Sequence, residues 1–169
     1  INDSAGDTEY DSSSISESDD YTVIATVTDS VGNTATDTVN YTIDNTSPTA
    51  EINSLTNTTR QPGENVTVNY TATDTNFDEA RVIVDNASSE VANTTVGEGE
   101  DSETEVEIDS GAGDGDYNLT LNVTDTAGNQ NATTNTNAIT VDGNSPTIDN
   151  ASPAEGDNVS DNSTNYTVD

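Results

Sequence analysis

The heptapeptide VTDTAGN, residues 123–129, has a near twin in VTDSVGN, residues 27–33. Each carries an aspartate, Asp125 or Asp29, then a small linker and Gly-Asn. Two chemistries fit this pattern. In a tight turn, Gly128 supplies the left-handed backbone, Asn129 tolerates it, and Asp125 accepts bonds from turn N–H groups. Alternatively, the carboxylate is a ligand for a hard cation. Two more segments bear on the second reading: TDTNFDEA, with Asp74, Asp78 and Glu79, and IDNTSPT, with Asp44 and Asn45. No basic residue is expected to neutralise them. A cation with oxygen ligands would relieve the repulsion, and calcium accepts about six to eight oxygens in loose geometry. The linker recurs as ITVDGNSPT, so a next junction would use Asp142 and Asp169. No EF-hand loop pattern occurs.

Other chemistries are excluded by composition. The chain has 169 residues, 33 acids and two bases, Arg60 and Arg81, and it lacks Cys, His, Met, Trp and Lys. Without His or Cys there is no imidazole base, no thiol nucleophile and no ordinary zinc site. Two arginines make no nucleic-acid footprint. No apolar run approaches the ~20 residues that span a bilayer, so no membrane span is expected in this segment. Acids spread this evenly read as a solvated surface rather than a catalytic pair, and the chain is not expected to be an enzyme. A formal charge of −31 on 17.6 kDa repels itself at low ionic strength and suits a halophilic setting in which molar salt screens it.

The elements that must hold these acids follow from repeats and alternation. YTIDNTSPT (41–49) matches ITVDGNSPT (139–147), and NVTVNYTATD (65–74) matches NVSDNSTNYTVD (158–169). The spacing is roughly 97 residues, the size of a whole small domain. Residues 47–144 then form one complete unit. Residues 1–46 are the end of a previous unit, and 145–169 the start of a next one. Because residue 1 opens mid-pattern, the sequence reads as an internal or processed segment. Val66, Val68, Tyr70 and Ala72 alternate with Asn65, Thr67, Asn69 and Thr71, the signature of a half-buried strand. The same pattern predicts strands near 49–54, 64–73, 79–85, 89–96, 102–109, 115–124 and 132–142, with no helix of useful length. Seven short strands in under 100 residues imply an all-β fold of tandem antiparallel immunoglobulin-like β-sandwiches. Tyr117 and its counterpart Tyr21 are placed at the sandwich edge.

In such a sandwich the turn between strands six and seven shares a pole with the turn between strands two and three. The incoming linker enters there too. Asp44, Asp74, Asp78 and Asp125 thus converge on one junction, with Asp142 serving the next.

VTDTAGN followed by ITVDGNSPT resembles the immunoglobulin-like repeats of giant bacterial surface proteins and adhesins. The Asp-rich, Lys-free version is similar to haloarchaeal S-layer and surface glycoproteins. The resemblance implies an extracellular, cell-surface array acting as stalk, lattice or adhesin, with calcium at some junctions. Its partners would be neighbouring repeats of the same chain, and a homo-oligomer in a lattice or filament. The expected role is a structural segment of an extended surface protein. The alternative is an adhesin module for a glycan or protein, which calls for clustered loop aromatics, whereas Phe77 stands alone in a loop.

About fifteen Asn-x-Ser/Thr sequons add a glycosylation reading, among them Asn40, Asn65, Asn69, Asn93, Asn118, Asn122 and Asn150. A wet strand face of alternating Asn and Thr also generates this motif automatically. Finally, the end segments supply too few strands to close a core. Either they continue in a longer chain, or one copy's tail completes another's head by strand complementation.

Overall fold

The computed structural model describes residues 14–147. All regular structure there is β: β1 (Ser18–Thr28), β2 (Thr34–Ile43), β3 (Thr49–Thr56), β4 (Thr59–Arg60), β5 (Asn65–Thr73), β6 (Phe77–Asp85), β7 (Glu90–Val96), β8 (Gly99–Glu107), β9 (Gly115–Asp125) and β10 (Gln130–Val141). The seven expected strands are present within three residues at each end. The two-residue β4 was not foreseen, being too short to show alternation.

Residues from β3 onward form two sheets, ordered β3-β5-β8 and β4-β10-β9-β6-β7. Every pairing is antiparallel except β4 with β10. The period-two pattern decides which face goes inward. Val66, Val68, Tyr70 and Ala72 of β5 are buried, and so are Ala80, Val82 and Val84 of β6 and Leu119, Leu121 and Val123 of β9. With Val106, Ile108, Ile139 and Val141 they make one core shared by both sheets, so the unit is a β-sandwich.

Tyr117 does not lie at the edge, as its position at a strand start suggests. It is 2% exposed in the core, and its hydroxyl donates to the Gly113 carbonyl at 2.9 Å. That one bond lets a phenol enter an apolar core without stranding its oxygen. Tyr21 makes the equivalent bond to the Ser16 carbonyl, also at 2.9 Å, but is only half-buried and stacks on Tyr41.

Phe77 also differs from expectation. It opens β6, is half-buried and packs against the core rather than standing in a loop. Its apolar ring finds cover that a loop would not give.

β1 and β2 pair only with each other among the described residues. Val23, Ile24, Val27 and Val39 are exposed, and Ile43 at the base is the one buried residue of β2.

Candidate metal centre at the entry pole

β5 and β9 belong to opposite sheets and run in the same direction, so the turns that follow them lie at one pole. The β5–β6 turn (residues 74–76) and the β9–β10 turn (126–129) meet there, where the Thr126 N–H donates to the Asn76 carbonyl at 2.8 Å. The segment between β2 and β3 arrives at the same place. Asp44 of that segment, Asp74 and Asp125 each present a carboxylate oxygen, all within 4.8 Å of one another.

Asn129 holds the turn differently from the expected way. Gly128 takes the left-handed backbone, at φ 93°, as Gly32 does in the first copy. Asn129 is not left-handed; its side chain does the work. Its Nδ2 donates to Asp125 Oδ2 at 2.8 Å and to the Asp44 carbonyl at 3.1 Å, and its N–H donates to Asp125 Oδ1 at 2.8 Å. Asp29 and Asn33 repeat the internal part of this loop, with bonds of 2.9 and 2.7 Å.

Asp125 is buried, which pushes its carboxyl upward. The Asn129 amide, then the N–H groups of Asn129, Gly128 and Ala127, outweigh that and hold it below the usual carboxylate range. In the exposed copy, Asp29 is lowered chiefly by the Asn33 side chain.

Asn76 supplies the second bridge. Its N–H donates to Asp74 Oδ1 at 2.8 Å and its Nδ2 to Asp44 Oδ2 at 2.7 Å. The Thr46 N–H closes on Asp44 Oδ1 at 3.0 Å. Asp44 is therefore tied to both turns before any ion is considered. Both arginines are engaged elsewhere, Arg60 with Glu64 at 3.7 Å and Arg81 with Glu79 at 2.8 Å. A recess adjoins Asp74 and is otherwise lined by Thr46, Ser47, Thr49, Thr73, Thr75 and Glu98. Three carboxylates, hard oxygen neighbours and no cationic side chain among the described residues that pairs with them fit an ion of the calcium class.

The remaining acids are not brought in. Asp78 is exposed on β6 and lies outside the cluster, because alternation turns it away from Phe77 toward solvent. Glu79 has a base after all: the Arg81 guanidinium bonds it and holds it below the usual range. Asp142 sits at the opposite end of β10, exposed, with its Oδ1 accepting the Asn144 N–H at 2.9 Å, the bond Asp44 receives from Thr46. Asp114 secures that far strap by accepting the Gly143 N–H at 2.7 Å. Asp169 lies outside the described residues.

The asparagines at the entry pole were the functional residues not foreseen. The signal was present, since Asn33 and Asn129 recur with the aspartate in both motifs.

Of the sequons, Asn40, Asn65 and Asn93 are exposed, while Asn69, Asn118 and Asn122 are half-buried on strand faces. Asn69 Nδ2 donates to the Asp101 carbonyl and Asn118 Oδ1 accepts the Asn137 N–H. Asn150 is outside the described residues.

No family model and no curated protein matches the chain. Among solved structures, it is similar to a Ca2+-stabilized adhesin that helps an Antarctic bacterium reach out and bind ice. The identity is 26% over 72% of this chain and 31% of that one, at a TM-score of 0.37. The chain thus spans under a third of that adhesin chain's length.

Proposed function

We propose that the protein is a structural segment of an extended extracellular surface protein, built from immunoglobulin-like sandwiches in series and stiffened where one unit enters the next. The observation that carries this reading is the capture of Asp44. It lies on the segment joining the hairpin to the sandwich, and Asn76 and Asn129 reach it from two separate turns. A connector held from two sides transmits force between units and limits bending. The strand order and the Tyr117 bond back to Gly113 are those expected of an immunoglobulin-type sandwich. Pro48, buried at the start of β3, fixes one backbone angle of the connector.

In this reading Asp44, Asp74 and Asp125 hold a divalent cation of the calcium class. The ion would supply charge neutralisation and a shared ligand sphere across connector and sandwich. The protein is non-enzymatic and works through shape. Its acidic surface suits molar salt, where the Debye length is about 3 Å rather than about 30 Å at 0.01 M. Exposed sequons such as Asn65 and Asn93 are available for glycans on such a surface.

The test is calorimetric melting in molar NaCl with calcium, with magnesium at matched ionic strength, and with chelator. A bound ion raises the melting point by mass action, worth about 2.7 kcal/mol at 100 times its dissociation constant. Asp74→Asn should remove the calcium-specific increment. Identical melting in all three media sinks the cation part. A strand signal in circular dichroism that persists unchanged into near-fresh water sinks the salt-adapted part.

A further inference from the structure

The short strand β4 makes the one parallel pairing among the described residues, and it makes it with β10, the strand that closes the sandwich. The chain enters the sandwich at Ser47-Pro48 and leaves it past Asp142. Between these points the entering segment follows β10 from end to end. At the entry pole, Asn131 Nδ2 donates to the Pro48 carbonyl at 2.9 Å and Thr133 Oγ1 to the Ala50 carbonyl at 2.5 Å. At the opposite pole, the Thr140 N–H donates to the Thr58 carbonyl at 2.8 Å and the Asp142 N–H to the Arg60 carbonyl at 2.9 Å. Asn57, at φ 61°, makes the jog that takes the chain from β3 in one sheet to β4 in the other. The entering segment and β10 therefore run side by side in the same direction.

That arrangement has a mechanical meaning. Tension along the chain draws the entering segment back toward the entry pole and draws β10 toward the opposite one. The two must slide past each other before the unit can open. Bonds between sliding strands lie across the force and stretch together, whereas a peeled strand loses its bonds one after another. Neither strand can slide freely, because β3 is laddered to β5 and β10 to β9. The Asp114 carboxylate is the outermost tie on this path, accepting the Gly143 N–H at 2.7 Å and the Asn144 amide.

We propose that the β3–β4 segment and β10 form a load-bearing clasp. Tension entering at Pro48 passes to β10 through the bonds accepted by the carbonyls of Pro48, Ala50, Thr58 and Arg60, and unfolding under load waits for these bonds to fail together. The side-chain half at the entry pole belongs to Asn131 and Thr133, which gives these two exposed-face residues of β10 a role that alternation alone does not. The inference deepens the reading of an extended array by naming the bonds that carry its load, and it rests on that reading for its use. The clasp itself is a property of one sandwich and needs no cation, so its failure and that of the array are separate results.

Forced unfolding reports the rate at which loaded contacts break rather than equilibrium stability. The chain has no cysteine, so paired cysteines give unique handles for single-molecule pulling of the 169-residue chain. Ser47→Cys with Ser145→Cys, both exposed, loads the clasp along its length. Ser88→Cys with Ser110→Cys, also exposed, instead peels β7 from β6 and β8 from β5, starting at their far-pole ends. In molar NaCl with chelator, the first pair of handles should rupture the unit at a force several times that of the second. Asn131→Ala, Thr133→Val and Asp142→Pro each remove one donor, and each should lower the first force while leaving the second where it was. Thr133→Val keeps the branched shape, so its effect reads the bond rather than the fold. Equal forces along both directions overturn the proposal. So does a loss of the same size along both, which would make these bonds ordinary contributions to stability. Unchanged force along the clasp in all three variants overturns it as well.

Discussion

The β1–β2 and β9–β10 hairpins share a turn, a tyrosine bond and a strand register, but among the described residues only β9–β10 has a second sheet over it. Asp29 and Asp125 accept the same bonds from Asn33 and Asn129, at distances within 0.1 Å. Tyr21 and Tyr117 donate to a carbonyl at the same 2.9 Å. The local geometry is therefore written into the local sequence and survives without cover. Burial is what the neighbours add, and burial turns a hairpin into part of a core. An isolated two-stranded hairpin is at best marginal in water.

Hydrogen exchange on dilute chains should separate the two most widely. Amides in the middle of β9 open only with the whole sandwich, and those of β1 open locally. Against even the lower end of domain stability, the protection ratio should reach about a thousandfold. Equal protection would mean that the hairpin is covered in solution.

Leu121→Ala should come next, lowering the stability measured by denaturant by about 2–5 kcal/mol, since Leu121 is fully buried. Val23→Thr, on the matching face of β1, should stay within about 0.5 kcal/mol. A large effect at Val23 would mean that this face of the hairpin is covered in solution.

Tyr117→Phe should cost about 1 kcal/mol through the lost bond to Gly113, and Tyr21→Phe less, because water replaces the partner of a half-buried hydroxyl.

The smallest difference should appear only in acid. The Asp125 carboxyl is lowered in the folded state, so the unfolded chain takes up the proton first as pH falls. Its contribution is complete above the usual value near 3.8 and is lost as pH drops through the lower folded value. Asp125→Asn should flatten that part of the stability–pH curve. The same change at Asp29 should leave the melting of the sandwich where it was, as Asp29 sits on the uncovered hairpin.

Much of this was readable in advance where one residue type carries one physical demand. Alternation in NVTVNYTA fixed β5 to within a residue, since a strand with one wet face has only one way to sort Val from Asn. The pole shared by Asp44, Asp74 and Asp125 followed from strand order alone. Asp78 and the role of Asn129 were not readable, for a common reason. Whether a side chain turns toward a junction depends on where alternation restarts after a turn, and whether an Asn acts by backbone or by amide depends on what faces it. Tyr117 went further inward than expected because a carbonyl four residues upstream was in place to receive its hydroxyl. Glu79 found Arg81 two residues on, along the same strand face, a pairing that a search for loop neighbours overlooks.

One irregularity of β10 has a consequence for how such units change. Between Asn135 and Ile139 it carries two more residues than the strand it pairs with. Asn137 there takes φ 50°, and its N–H is received by Asn118 Oδ1 at 3.1 Å. The β1–β2 ladder has no such insertion between Tyr21 and Thr28. That is why the strap follows the aspartate turn at a slightly greater distance in the second copy. A strand repeats its facing every two residues, so an insertion of two leaves Ile139 and Val141 pointing inward, whereas an insertion of one would turn them out. Descendants of one ancestral unit can thus lengthen or shorten here in even steps with no repair of the core. Length differences among copies at this point should be even, and odd ones should be purged.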